Sequence, residues 1–499
     1  MKKETPLKIR YLIKLLSNIV NGLINVILVA FVPTALGTQA YGEFSYLFQF
    51  FTRLYGFISA GSPTAFFTKL SANPYRKNLV GFYLFVVIAI LFVVFLSVYL
   101  VNVLGFRNIV FPDIEKESYI YLSLLFLFLT FLFDIYLKIS DAYVLTTSVE
   151  IVKIVYKLVY TISLIGVIQY FYFDLDIYLI FNIVATSLFL IATSSLFIKK
   201  GVFSKEIFQN LQFASTSKEF LEYIAPLFVT NSISIAIGFF QIWLLQKFGG
   251  AEESGYYGLA YQIGIMSFLF TSAMTQIITR EFSKSFGEGD IETIRRLFLR
   301  YVPMLYSISA FFSLFVLFQA ENVISLFTDD RFLEAVPVVM VMSFYPIHQT
   351  YGQLSTSLFY ATERTKKYRN ISLVSQTIML GLSILFIYFL NLGAVGLGLT
   401  MVIGQLIGTN LQLVDNSKYL NMDYLYLVRH QIISILLFLT ISYIASLFSM
   451  FQSPLVNFLF SGVVYLGLVG VAIYLYPDVL SLKKEELSRI MKKVFRRER

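Results

Sequence analysis

The 499-residue chain contains no cysteine and only two histidines. The missing thiols exclude zinc–thiolate sites, iron–sulfur clusters and cysteine nucleophiles. Charged residues are also scarce, at 14%, whereas ordinary soluble domains contain about 25%. A soluble chain of this length needs a charged, solvated surface that so few charges do not supply. The composition therefore argues against a soluble enzyme, a disordered chain and a disulfide scaffold.

Hydrophobic residues make up 57% of the chain and lie in long runs. Runs free of Asp, Glu, Lys and Arg occupy 78–106, 223–246, 254–279, 301–320, 335–362, 370–414 and 430–477. The last two are double runs, broken at 391–393 and 452–454. Further spans with isolated charges lie near 11–34, 41–66, 118–138, 150–171 and 176–198. Since a transmembrane helix needs about 20 apolar residues, we predict an all-α integral membrane protein with about fourteen transmembrane helices.

The net charge of +9 is distributed unevenly among the predicted loops. Of the 39 Lys and Arg residues, 32 fall on the side of the N-terminus and four on the opposite side. Positively charged loops stay in the cytoplasm, so we expect both termini to be cytoplasmic. This topology accounts for the basic charge without a nucleic-acid partner.

Two turns of similar sequence indicate an internal repeat. LGTQAYGEFSY (36–46) and FGGAEESGYYGLAY (248–261) both place a Gly-x-aromatic step after a short polar stretch, and Gly42 and Gly255 are 213 residues apart. We therefore predict two six-helix lobes, 1–210 and 211–420, with an extra helix pair and basic tail at 421–499. Because six spans separate the turns, the lobes form a parallel pseudo-two-fold repeat around a central cleft.

These turns, the basic start that leads into a long Asn-bearing helix and the six-plus-six-plus-two layout resemble the polysaccharide flippase family. That family belongs to the multidrug/oligosaccharidyl-lipid/polysaccharide exporter superfamily. The resemblance implies a multi-pass flippase of the bacterial cytoplasmic (inner) membrane. Its expected cargo is an undecaprenyl-pyrophosphate-linked oligosaccharide, such as an O-antigen, capsule or exopolysaccharide unit, moved from the cytoplasmic to the periplasmic leaflet by alternating access. Polysaccharide polymerase and chain-length proteins are the implied protein partners.

Cations inside the spans are the candidate ligands for the pyrophosphate, because charges at this depth usually serve a cavity or a partner. They are Arg53, about 18 Å into its span at 1.5 Å per residue, Lys157 and Lys14. Lys14 begins a polar stripe with Asn18, Asn21 and Asn25 at helical spacing. This stripe lines the cavity or binds a neighbouring helix; the sequence leaves both open.

Three further residues are candidates for coupling transport to a proton or sodium gradient. Glu43 lies at the outer rim, and Asp134 is alternatively an ion-pair partner of Lys138 or Lys157. His348 is near the middle of its span, followed by Gln349 and Gln353, and is alternatively a packing residue. We expect no cofactor and no metal.

Motifs for catalysis or direct ATP use are missing from the sequence. It contains neither GxxxxGK[ST] nor HExxH, and its predicted outer loops are short. We therefore expect a transporter and not an enzyme. Two alternatives remain: a lipid II-type or drug/cation exporter of the same superfamily, and a membrane polysaccharide polymerase or ligase. The weakly cationic spans favour an anionic lipid-linked cargo over a cationic drug.

Overall fold

The computed structural model describes residues 7–59, 61–482 and 484–486, and this part of the chain is helical without strands. The first eight helices are α1 (Leu7–Ser59), α2 (Ser62–Ala72), α3 (Asn78–Val103), α4 (Arg107–Val110), α5 (Glu117–Ala142), α6 (Thr146–Tyr170), α7 (Leu175–Lys199) and α8 (Phe213–Met266). Next come α9 (Phe268–Gly287), α10 (Ile291–Phe318), α11 (Ala320–Phe327), α12 (Val336–Met342) and α13 (Tyr345–Ala361). The last are α14 (Thr365–Ser383), α15 (Gly393–Tyr419), α16 (Tyr424–Ser446) and α17 (Pro454–Leu475).

Eleven helices of the described part are long and apolar enough to cross a membrane. Two of these stretches, Val20–Ser59 and Asn231–Met266, contain 40 and 36 residues. At 1.5 Å per residue they measure about 60 and 54 Å, almost twice the hydrocarbon thickness of about 30 Å. Each is therefore long enough for two crossings. The number of about fourteen spans stays a prediction.

The chain forms two compact units, Met1–Gly255 and Tyr256–Arg499. In the first unit, α1 packs against α5, where the Tyr55 hydroxyl donates to the Leu124 carbonyl at 3.0 Å. In the second unit, the core surrounds α10, whose Phe298, Val302 and Tyr306 side chains are fully buried. The division into lobes at 1–210, 211–420 and 421–499 stays a prediction.

The two predicted repeat turns share one backbone conformation. Each interrupts a long helix at a glycine with positive φ, Gly37 (φ 79°, ψ 171°) in α1 and Gly250 (φ 85°, ψ −177°) in α8. Glycine adopts this conformation without the steric cost that a Cβ brings. The interval between them is again 213 residues. The turn thus repeats in structure, and the arrangement of two lobes around it stays a prediction.

Beside these turns, α1 and α8 touch through their main chains. A methyl group added at Gly42 would overlap the carbonyl oxygen of Ala251. A Cβ at Gly255 would lie 3.1 Å from the carbonyl oxygen of Thr38. Thr38 and Ala251 each directly follow a turn glycine, so the contact is reciprocal between the two turns. Glycine at both positions permits this close crossing.

The predicted C-terminal helix pair is present as α16 and α17, and it packs on α10. Tyr465 of α17 donates its hydroxyl to the Phe311 carbonyl at 2.6 Å, and the two rings stack with centroids 5.2 Å apart. On α16, Ser434 shares a 2.9 Å hydrogen bond with Ser307. These contacts fix the pair to the second unit.

The breaks predicted within the double runs are confirmed. Between α14 and α15, Asn391 takes φ 51°, and α17 begins at Pro454. Two runs predicted as single spans are instead divided. In the run 335–362, α12 ends at Met342 and α13 begins at Tyr345, because Pro346 lacks the N–H that a continuous helix requires.

The second run, 254–279, is divided only at the single residue Ser267 between α8 and α9, which keeps right-handed helical dihedrals (φ −62°, ψ −21°). The Ser267 hydroxyl donates to the Gly264 carbonyl at 3.1 Å. Such a side-chain bond to the main chain competes with the helical hydrogen bonds. The run contains neither proline nor glycine at this point, which is why the sequence alone does not mark the break.

Candidate functional site

Arg53 lies on the second part of α1, where this helix contacts α8. Its guanidinium rests on Gly238, and a methyl group added there would overlap the Arg53 Nη1 atom. One turn earlier, the rings of Phe50 and Phe239 meet edge to face at 5.1 Å. Arg53 is half-buried. The second part of α1 begins at Gly37, so Arg53 lies about 24 Å along the helix axis from that turn. The sequence predicted a depth of about 18 Å.

Next to the polar stripe of α1, Ser17 links this helix to α6. Asn21 donates its amide to the Ser17 carbonyl at 2.6 Å, and the buried Ser17 hydroxyl donates to Glu150 Oε2 at 2.5 Å. Glu150 is buried as well and pairs with Lys153 at 3.1 Å. Asn21 thus bonds within its own helix, and whether the stripe lines the cavity or binds a neighbouring helix stays a prediction. Asn25 is exposed, and the side chains of Lys14 and Asn18 lie outside the described residues.

Lys157 follows Lys153 by one turn on α6 and is half-buried. Its Nζ lies 5.4 Å from the centre of the Tyr160 ring, a cation–π contact. The Tyr160 hydroxyl in turn donates to Asn182 Oδ1 at 2.9 Å. Asp134, on α5, is exposed, and within the described part of the chain it forms no ion pair. The expected ion pair of Asp134 with Lys138 or Lys157 is therefore not formed.

Glu43 is completely buried beside the crossing of α1 and α8. Its Oε1 atom accepts a hydrogen bond from Gln39 Nε2 at 3.1 Å, whereas Oε2 has no partner among the described residues. Near it, Thr38 donates to Glu252 at 2.6 Å, and Asp113 accepts the main-chain N–H of Ala251 at 2.7 Å. Carboxylates thus surround the two repeat turns.

His348 of α13 is buried in the second unit. Its ring lies 6.0 Å from the Tyr306 ring, and its Nδ1 atom has no partner within the described part of the chain. Its main-chain carbonyl accepts a hydrogen bond from Thr409 at 3.2 Å. Whether His348 is a coupling residue or a packing residue stays a prediction.

The second unit also contains a polar cavity of about 790 Å³ between α9, α13, α14 and α15. Gln349 and Gln353, which follow His348, line this cavity. The other lining residues were not predicted from the sequence. The signal is nevertheless present in the sequence, because polar residues recur at helical spacing on each of the last three helices. One sequence does not show that these stripes face each other.

Scans of protein-family models and of curated proteins find no match. Solved structures match in fold. A lipid II flippase, MurJ, in an inward closed conformation has a TM-score of 0.68 and 14% identity, covering 93% of this chain and 98% of that one. An inward-facing multidrug resistance MATE family transporter of the MOP superfamily has a TM-score of 0.61 and 14% identity, covering 81% and 94%. A mutant MATE transporter from Vibrio cholerae has a TM-score of 0.54 and 16% identity, covering 84% and 97%.

The chain has the fold of these transporters. The helical fold of the described residues and the eleven apolar helices among them identify a multi-pass membrane protein. The structural neighbours belong to the superfamily that the sequence resemblance indicates, and membership of the polysaccharide flippase family stays a prediction.

Proposed function

We propose that the protein is a transporter that flips undecaprenyl-pyrophosphate-linked oligosaccharides from the cytoplasmic to the periplasmic leaflet by alternating access. The observation that carries this proposal is the half-buried Arg53 guanidinium at the contact of α1 with α8, in a chain that shares the transporter fold. A cation held among transmembrane helices is costly and is retained where it serves transport or a partner. A pyrophosphate is the partner that this side chain suits best.

The chemistry of arginine explains this choice. Its guanidinium stays charged at every physiological pH and binds phosphate oxygens through two parallel N–H donors. Gly238 leaves room for the guanidinium itself, because a Cβ at this position would overlap the Arg53 Nη1 atom. Lys157 is the second candidate cation, because its Nζ contacts a tyrosine ring and has no carboxylate partner within the described residues. Both remain proposed ligands of the cargo, together with Lys14 and the asparagines.

The test uses the full-length protein in lipid vesicles with an undecaprenyl-pyrophosphate-linked oligosaccharide. The measured quantity is the rate at which the glycan becomes protected from an external glycosidase. Arg53→Gln removes charge-assisted hydrogen bonds worth about 1.5–3 kcal/mol, so we expect the rate to fall roughly 10- to 100-fold.

Arg53→Lys keeps the charge but lacks the two parallel N–H donors. Its flipping rate should lie between the rates of Arg53→Gln and of the unmodified protein. Arg296→Gln, on the exposed surface of α10, is the matched control and should flip normally. Normal flipping by Arg53→Gln would remove this residue from the mechanism.

A second candidate function is the flipping of lipid II, which the likeness to MurJ supports. The same vesicle assay separates the two candidates when lipid II replaces the oligosaccharide cargo. Drug or cation export is less favoured, because the cationic side chains inside the spans would repel such a cargo.

Among the coupling candidates, Glu43 is favoured over Asp134 and His348. It is a fully buried carboxyl whose Oε2 atom has no partner within the described part of the chain, whereas Asp134 is exposed. A carboxyl can carry a proton or bind a sodium ion, whereas the His348 imidazole can carry only a proton. We expect Glu43→Gln to abolish any dependence of the flipping rate on a proton or sodium gradient. Unchanged gradient dependence in this variant would exclude Glu43.

A further inference from the structure

The polar cavity of the second unit is built from three helical stripes. On α13, Gln349, Gln353, Thr356 and Tyr360 follow each other at three- and four-residue spacing, so they share one face. The same spacing places Tyr368, Ser372, Gln376 and Met379 of α14, and Gln405, Thr409 and Gln412 of α15, on the cavity. Thr275 and Thr279 of α9 complete it.

The cavity walls are polar but uncharged. They comprise five glutamines, four threonines, three serines, two tyrosines, two glycines and one methionine, with no ionisable acid, lysine, arginine or histidine among the described lining residues. Neither a metal ion nor a phosphate finds a charged ligand in such walls. Its volume of about 790 Å³ falls within the roughly 300–1,000 Å³ typical of ligand sites.

Several of its amides are available for a ligand. Within the described part of the chain, the side chains of Gln349, Gln353 and Gln376 have no hydrogen-bond partner. Lipid cannot satisfy amides in a membrane, so such groups need water or a polar ligand. Other lining groups are already fixed: Thr356 donates to Gln412 Oε1 at 3.1 Å, and Thr279 donates to Ser357 at 2.8 Å. The cavity therefore combines a rigid frame with free hydrogen-bonding groups.

Two glycines bring the cavity walls close together. A Cβ added at Gly352 would lie 2.5 Å from Gln405 Nε2, and one at Gly408 would lie 2.5 Å from Ser375 Oγ. Real Cβ atoms do not approach so closely, so the polar side chains lie over the bare glycine main chain. At the end of the cavity next to the loop 362–364, the rings of Tyr360 and Tyr368 lie 5.3 Å apart.

We propose that this cavity binds the uncharged sugar residues of the cargo, at a site distinct from the pyrophosphate ligand Arg53. A carboxamide offers two N–H donors and one acceptor oxygen, which matches the paired hydroxyls of a sugar ring. The tyrosines add flat apolar faces for the C–H surface of such a ring. This assignment rests on the proposed flippase function for the identity of the cargo.

Because the natural chain contains no cysteine, single introduced thiols report on the cavity without a background signal. Ser375→Cys exchanges one atom in the cavity wall, whereas Thr377→Cys places a thiol on the same helix at an exposed position outside the cavity. The full-length variants are treated with N-ethylmaleimide in vesicles. The probes are undecaprenyl pyrophosphate with a neutral oligosaccharide, the same carrier without sugar, and a lipid-free neutral trisaccharide.

We expect the glycan-bearing lipid to slow the modification of Ser375→Cys about tenfold, and the bare carrier to leave it unchanged. The modification of Thr377→Cys should not respond to any of the three probes. Equal rates for Ser375→Cys with and without glycan, or equal slowing by the bare carrier, would overturn the proposal.

A second variant keeps the test independent of thiol chemistry. Gln353→Leu combined with Gln376→Leu preserves volume and removes two amides. Neutral hydrogen bonds are worth about 0.5–1.5 kcal/mol each, so the affinity for the glycan-bearing lipid should fall about tenfold. The affinity for the bare carrier should be unchanged, as should both affinities in the matched control Thr377→Val.

The outcomes separate this site from the flippase function. If the trisaccharide protects Ser375→Cys while no lipid-linked glycan is flipped, the sugar site stands and the flippase proposal fails. If lipid-linked glycan is flipped normally by the double variant and does not protect Ser375→Cys, the sugar site fails and the flippase proposal stands.

Discussion

Single side chains fasten the start of α8 to α2 and the loop after it within the first unit, and Glu219 is the clearest example. Its two carboxylate oxygens accept from Lys69 at 2.8 Å and from Arg76 at 2.9 Å. These hydrogen bonds to two cations hold the pKa of the Glu219 carboxyl below its usual value. Arg76 also donates to Thr216 at 3.3 Å. The residue thus joins the loop after α2 to the start of α8.

We predict that Glu219→Gln destabilises the protein slightly at neutral pH. A carboxyl with a lowered pKa contributes stability above its unfolded value near 4.5 and loses that contribution as the pH falls through its folded pKa. The pair is partly exposed, so the loss at pH 7 should be at most about 1 kcal/mol. Thermal unfolding in detergent at pH 7 and at acidic pH measures it. A difference between the proteins that grows towards acidic pH would contradict this prediction.

At the residue scale, the sequence identifies unusual side chains but not their partners. It marks the stripe from Lys14 to Asn25, yet Glu150, which receives the Ser17 hydroxyl, lies 133 residues away. A pairing at that distance has no local pattern. The sequence singles out Arg53 because a single cation inside a long apolar run is recognisable from the sequence, and its role as a cargo ligand stays a proposal.

At the element scale, the crossing of α1 and α8 depends on glycine. We predict that Gly42→Ala destabilises the protein by about 1–3 kcal/mol, the usual cost of overpacking, because the added methyl overlaps the Ala251 carbonyl. Gly166→Ala, inside α6 with open space around it, is the matched control. It should be neutral or stabilising by up to about 1 kcal/mol, since alanine favours helix over glycine.

The melting temperatures of the two purified variants, each compared with the unmodified protein, measure this difference. Equal melting temperatures for Gly42→Ala and Gly166→Ala would show that the main-chain contact is not required.

Helix boundaries were predictable where glycine or proline marks them and not elsewhere. The turns at 391–393 and 452–454 contain such residues, whereas Ser267, where α8 meets α9, has helical dihedrals and is identified as the junction only by the structure. The polar cavity was missed for a related reason. Each stripe is visible on its own helix, but the packing of α13, α14 and α15 brings them together.

At the scale of the whole molecule, composition and long apolar runs were sufficient to predict an all-helical membrane protein. Composition and the length of apolar runs are properties of many residues together, so predicting them does not require knowledge of any single contact. The likeness to MurJ and to MATE transporters agrees with that fold. The choice of cargo depends on a few side chains and not on composition, so it is tested by transport measurements.

The most direct test of the account is a comparison of cargoes with the purified, unmodified protein in vesicles. An undecaprenyl-pyrophosphate-linked neutral oligosaccharide, lipid II and a lipophilic cationic drug are offered in parallel, and the transbilayer movement of each is timed. We predict fastest movement of the neutral oligosaccharide lipid. Movement of the drug without any movement of the oligosaccharide lipid would contradict the account.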